Sequence, residues 1–286
     1  MHLASRRHFV SVTLAGLLGR SFGQTNPASV GLDGELPPLP KALLDASGEP
    51  DFFSMHLGVK ALGTADPGKD LRDFARSIMS AAPKNCAPIE VAYFFRDLGL
   101  GKTQFKEEGR PFARGWPRIY NPVIVELFKT TGLNPLSPTT QGDATPWCAA
   151  FVNYCIARAS SKTGVIGAAD LAKGTRSASS GSFRCFGKSI DKGASPKEGD
   201  IAVWALDGTI DKCKPGSGHV GFYVGNSGDA ERPILVMGGN QSGDLLKDTK
   251  TRNDGMFLKG MPLKYVAKKS PLTYKTFYGF RTSYFS

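Results

Sequence analysis

Histidine is scarce in this chain of 286 residues: only His2, His8, His56 and His219 are present. Any chemistry that needs an imidazole base has few places to find one. Cysteine is sparse too, with five in all, and no two stand in a C-x2-C pair. That removes the zinc-finger and zinc-ribbon readings, and no metal or cofactor is expected. Apolar runs are short; the one after Val10 ends by Leu18 and cannot cross a bilayer, so no stable membrane span is expected. RNA-recognition signatures are missing as well, so the net charge of +11 does not point to nucleic acid. There is no internal repeat.

What is present is enough apolar and aromatic content, 41% and 10%, to close a core over one large domain or two modest ones. The N-terminus reads as an export signal. Ser5-Arg6-Arg7-His8-Phe9-Val10 is similar to the twin-arginine export motif, Ser11, Thr13 and Gly16 weaken the apolar stretch after it, and Ser21-Phe22-Gly23 offers a cleavage site. An ordinary secretory signal with a basic start is the plainer alternative. Residues 1–23 are expected to leave, taking Arg6, Arg7 and Arg20, so the charge falls by three to +8. A periplasmic destination follows, where the anionic partners are the cell wall and lipid headgroups. An odd number of cysteines in an exported chain leaves at least one free thiol. Cys148 is the candidate, while Cys86, Cys155, Cys185 and Cys213 could form bridges, with Cys185–Cys213 favoured because both lie in loop-like sequence.

Residues 24–115 divide into a Pro- and Gly-rich arm to about Pro50 and two amphipathic helices, one with Leu71, Phe74, Ala75 and Ile78 on its face, the next with Val91, Phe94 and Phe95. A short helix follows Asn121-Pro122, and a longer one is expected over Thr145–Arg158. Residues 160–192 and 242–275 show weak order signals. Between and after them, Gly199–Trp204, His219–Val224, Ile234–Met237 and Phe277–Arg281 read as short antiparallel strands.

Three residues on three of these elements suggest a site. Thr145 is a good N-cap and Pro146 suits the first helical position, which puts Cys148 in the first turn. Unpaired N–H groups and the helix dipole favour a thiolate there. Of the two histidines beyond residue 23, His219 opens a strand after a Gly-rich loop, whereas His56 lies in the apolar segment Phe52–His56. Asn240, in Gly238-Gly239-Asn240-Gln241, could accept a hydrogen bond from the imidazole and fix its tautomer. Taken singly, each has a plainer reading: a core cysteine, a strand-end histidine, a turn asparagine. Asp143 and Trp147 are candidates to face substrate, against a turn residue and a core or wall tryptophan. Asp200 is expected to fix the turn into its strand.

The order Pro146-Trp147-Cys148-Ala149-Ala150-Phe151-Val152-Asn153, Gly199-Asp200-Ile201, Gly218-His219-Val220-Gly221-Phe222-Tyr223-Val224-Gly225 and Gly239-Asn240-Gln241 resembles the CHAP group (cysteine, histidine-dependent amidohydrolases/peptidases) in the NlpC superfamily of papain-like cell-wall hydrolases. The resemblance spans residues 116–286 and implies an α+β fold, with a nucleophile helix packed on a small antiparallel sheet behind a mainly helical N-terminal extension. It implies that Cys148 attacks an amide carbonyl of peptidoglycan, either where muramic acid joins L-alanine or within the stem peptides and cross-bridge, that His219 is the base, and that Asn240 orients it. Many CHAP members carry an acid two places before that asparagine; here the position is Gly238. Alternatives of the same fold are a catalytically silent wall-binding protein and an acyl-transferring enzyme. Residues 24–115 are left with three readings: packing on the domain, covering the groove, or binding a protein partner.

Overall fold

The computed structural model describes residues 63–117, 119–191, 193–206, 216–242, 254–269 and 272–282. The expected export signal, His56 and Cys213 lie outside them. The first apolar spacing produces helix α1, Lys69–Ala81, which buries Ala75, Ile78 and Met79 and keeps the Lys69–Asp73 and Arg76–Asp73 pairs outside. Helix α2, Pro88–Gly99, starts on a proline whose missing N–H costs nothing there, and Glu90 reaches back to the Ala87 N–H at 2.9 Å. A short helix α3, Lys106–Gly109, and a 3-10 turn lead to α4, Pro122–Phe128. Asn121 caps α4 by accepting from the Val123 N–H at 2.8 Å, and donates to the Phe112 and Arg114 carbonyls at 2.8 and 2.7 Å.

Helix α5, Cys148–Ser160, is buried at every position from Cys148 to Ala159. A helix buried on all sides belongs in the middle of a fold. One side of α5 packs on α2 and α4, with Phe95 edge-on to Phe151 and Tyr154 at 5.9 and 5.8 Å. The other packs on two sheet strands. The segment after α5 is more ordered than its composition suggests: it holds helix α6, Ala168–Leu171, a 3-10 turn at Ser180–Cys185 and strand β1, Lys188–Ser189. Its order comes from α5, since Asn153 accepts from the Thr175 and Arg176 N–H groups at 2.7 and 3.2 Å and donates to the Ser177 carbonyl at 3.0 Å. Tertiary hydrogen bonds of this kind leave no periodic trace in a sequence.

The remaining strands are β2 Ile201–Leu206, β3 Gly218–Asn226, β4 Ile234–Ser242, β5 Asp254–Met261, β6 Lys264–Lys269 and β7 Leu272–Thr282. They pair antiparallel in the order β1-β7-β2-β3-β4-β5, with β6 on β7. The fold is thus α+β with a helical N-terminal region. The expectation of irregular chain over 242–275 is corrected by β5, β6 and the start of β7. Lysines and glycines weaken strand propensity there, and pairing with neighbours overrides it. Val203, Val220, Phe222, Leu235 and Met237 line the sheet face toward α5, and the same core continues without a break into α1, α2 and α4. Ala202, Trp204, Ile234 and Val236 line the other face, under Tyr265, Phe277 and Phe280.

Cys185 is disulfide-bonded, and Cys86, Cys148 and Cys155 are free thiols. Among the described residues no helix is long and apolar enough to cross a membrane, and no group of three His, Cys, Asp or Glu side chains could hold a metal ion.

Candidate active site

The turn before α5 is built differently from the expected cap. Thr145 closes a 3-10 turn over Gly142–Ala144, and its Oγ1 accepts from the Gln141 N–H at 3.1 Å. The N-cap position belongs to Trp147, which makes Cys148 the first helical residue. Trp147 is held on three sides: Nε1 donates to Asp254 at 2.8 Å, the ring stands edge-on to Phe151 at 6.5 Å, and it lies on Gly239. A Cβ at Gly239 would come within 2.4 Å of the Trp147 ring and 2.7 Å of Phe151 Cβ. The glycine is what lets β4 and the start of α5 touch.

At this helix start the N–H groups of Cys148 and Ala149 act on the Cys148 sulfur, joined by the Val220 N–H from β3. Val220 directly follows His219, so the thiol lies against the strand that carries the imidazole. His219 is register partner of Trp204, the two rings 6.0 Å apart, and is only 5% exposed.

Burial sets the protonation of both groups. It pushes the Cys148 thiol above its ordinary pKa; the Lys275 charge and the three N–H groups oppose this without reversing it. The expected thiolate is therefore corrected: helix-start donors are present, but desolvation outweighs them. Burial, helped by Lys275 and Lys259, pulls the His219 pKa down to about 3 against a smaller upward pull from Gln241. At rest the thiol and the imidazole are both neutral, and Lys275 acts on each. The neutral imidazole keeps a lone pair that can accept a proton, and its low pKa makes it a weak base in the resting site.

Lys275 bears on both groups from the β6–β7 hairpin, where it pairs with Tyr265 and stands 5.9 Å from the centre of that ring. Tyr265 is itself raised by burial and by the nearby Cys148. This hairpin edge of the site falls in sequence that reads as irregular. Only a strand assignment would have brought it to Cys148.

The other expected site residues separate. Asp143 is wholly buried and accepts from the Asn121 N–H at 2.6 Å, so it ties the turn to α4 rather than facing substrate. Trp147 is wholly buried as well, a core residue that supports Cys148. Asp200 accepts from the Lys197 N–H at 2.7 Å and fixes the turn into β2. Asn240 sits in a β4 bulge between Gly238 and Gln241 with a left-handed φ of 56°. Among the described residues its side chain makes no hydrogen bond. The amide that interacts with His219 is that of Gln241, and the bulge is what swings it to that face.

Residues 140–240 match the family model of the CHAP domain. The chain contains a CHAP domain. No curated protein and no solved structure matches the chain. The CHAP domain match holds Cys148, His219 and Asn240, and stops one residue short of Gln241. Helices α1 and α2 and strands β5 to β7 lie outside it, yet α1, α2 and β5 share the core of the CHAP domain and the β6–β7 hairpin borders its site. CHAP domains are typically cysteine- and histidine-dependent hydrolases of the peptidoglycan hydrolase type.

Proposed function

We propose that this protein is an exported cysteine hydrolase that cuts an amide bond in peptidoglycan stem peptides, reaching the periplasm by its twin-arginine-like signal. The observation that carries this reading is Cys148 at the first position of α5 with its sulfur against the Val220 N–H, next to His219. In the reaction, His219 takes the Cys148 proton as sulfur bonds to the carbonyl carbon. The N–H groups around Cys148 are placed to steady the developing oxyanion, each well-aimed donor being worth about 3 kcal/mol. Collapse breaks the C–N bond, the amine leaves with the proton from His219, and a thioester remains. Water then gives a proton to His219 and its oxygen to the acyl carbon; the C–S bond breaks and the thiol is restored. Amide and water become acid and amine.

Lys275 supports an acidic substrate, since its charge stands where a stem-peptide carboxylate would gain from it. The test is incubation of the protein with purified sacculi and mass spectrometry of what is released. Fragments carrying one added water per cut, absent with Cys148→Ala, are expected. No fragments, or equal release by Cys148→Ala, would refute the hydrolase and leave the wall-binding reading.

A further inference from the structure

Gln241 is buried, 2% exposed, and its amide is fixed in one orientation. Nε2 donates into three backbone carbonyls, those of Phe257, Val236 and Gly238, the last two at 3.5 and 3.3 Å. No acceptor oxygen could sit in that cage, so the amide cannot be flipped, and Oε1 must point away from it. Oε1 and His219 Nε2 are both buried polar atoms without a well-formed hydrogen bond. The two side chains interact in the sense that an acceptor oxygen produces, favouring the protonated ring. A buried donor and a buried acceptor, each lacking another partner, are each other's remedy.

Gly238 explains how a glutamine reaches this place. A Cβ at 238 would point at the Gln241 amide, 3.1 Å from Cδ and 3.2 Å from Nε2. The volume that a side chain from 238 would enter is therefore filled from 241, by a residue three places on that the bulge at 239–240 returns to the same face.

We infer that Gln241, not Asn240, is the positioning residue of His219: its Oε1 accepts from Nε2–H, commits the ring to that tautomer, and leaves the lone pair on Nδ1 for the Cys148 proton. The step depends on the hydrolase reading only for its effect on turnover. The tautomer is a property of the folded protein and is measured without substrate.

The experiment is 15N NMR of the full chain labelled at histidine, with His219 assigned by its loss in His219→Gln, alongside digestion of sacculi. In the unsubstituted protein at pH 7, His219 is expected as the Nε2–H tautomer; an Nδ1–H ring would overturn the inference with no variant needed. Gln241→Glu keeps the acceptor and loses the donors, so it should lose stability yet keep the tautomer. Gln241→Met loses both, and should show mixed tautomers and digestion slowed about 100-fold, the lower range of what a positioned base contributes. If Glu and Met variants give the same His219 spectrum, or if Asn240→Ala slows digestion more than Gln241→Met, Gln241 is structural only. Absence of digestion by the unsubstituted protein would sink the hydrolase reading and leave the tautomer result standing.

Discussion

His219 is neutral when the chain is folded and basic when it is not, so acid should unfold this protein earlier than its carboxylates alone would. Its folded pKa of about 3 lies below the ordinary histidine value of 6.5. Between those two values the unfolded chain binds a proton that the folded chain refuses, and stability falls as pH falls. The contribution is complete above pH 6.5, drains away below it, and levels off near pH 3. At about 1.4 kcal/mol per pH unit, the stretch from pH 7 to 4.5 removes roughly 2.5 kcal/mol. A loss of this size is a sizeable part of a typical domain's stability. Urea unfolding of the protein and of His219→Gln at pH 7, 6, 5 and 4.5 isolates the effect, because every other group is common to both chains. The gap between the two stabilities should change by roughly 2.5 kcal/mol over that range, in the direction that the unsubstituted protein weakens faster in acid. Parallel curves would mean that His219 is solvated and titrates normally, and the neutral-pair chemistry would fall with it.

Two further outcomes follow from the same contacts. Gly239→Ala would press a methyl into the Trp147 ring and Phe151; it should cost about 1–3 kcal/mol, seen as a lower melting temperature, and an unchanged melt would show that β4 and α5 can part freely. Lys275→Met removes a cation that lowers both pKa values at the site, so the pH at which iodoacetamide alkylates Cys148 should move upward; no movement, or a downward one, would place Lys275 away from the sulfur.

The helices were legible where their apolar faces repeat: Ala75 and Ile78 in α1, Val91 and Phe95 in α2, and the mainly apolar run of α5 each bury as their spacing requires. The strands legible from sequence were those with β-branched or aromatic runs, β2, β3, β4 and the Phe277–Arg281 end of β7. What escaped was structure made by partners. Strands β5 and β6 carry lysines and glycines and exist because β4 and β7 pair with them. The loop through Thr175 holds because Asn153 collects its backbone donors. The start of α5 shows the limit of local rules: Thr145-Pro146 has the composition of a cap, but the 3-10 turn before it takes Thr145, and Trp147, held by Asp254 and Gly239, sets where the helix begins.

Scarcity and position single out Cys148 and His219 in the sequence, whereas their protonation is not legible there, since desolvation depends on what covers them. The helix-start donors that would favour a thiolate are present at Cys148, and burial still wins. In the proposed reaction a neutral thiol and a neutral imidazole separate charge only when the carbonyl is attacked, so the dipoles at the start of α5 and the Lys275 charge would act on the transition state more than on the resting protein. The amide that interacts with His219 comes one residue after Asn240 for a geometric reason: strand alternation assigns Asn240 and Gln241 to opposite faces, and a bulge at 239–240 exchanges them. Glycine at 238 and 239 is the trace that such a bulge leaves in the sequence. The first leaves room for the Gln241 amide that interacts with His219, the second admits Trp147 and Phe151, and together they allow one short stretch of β4 to support both His219 and the start of the Cys148 helix.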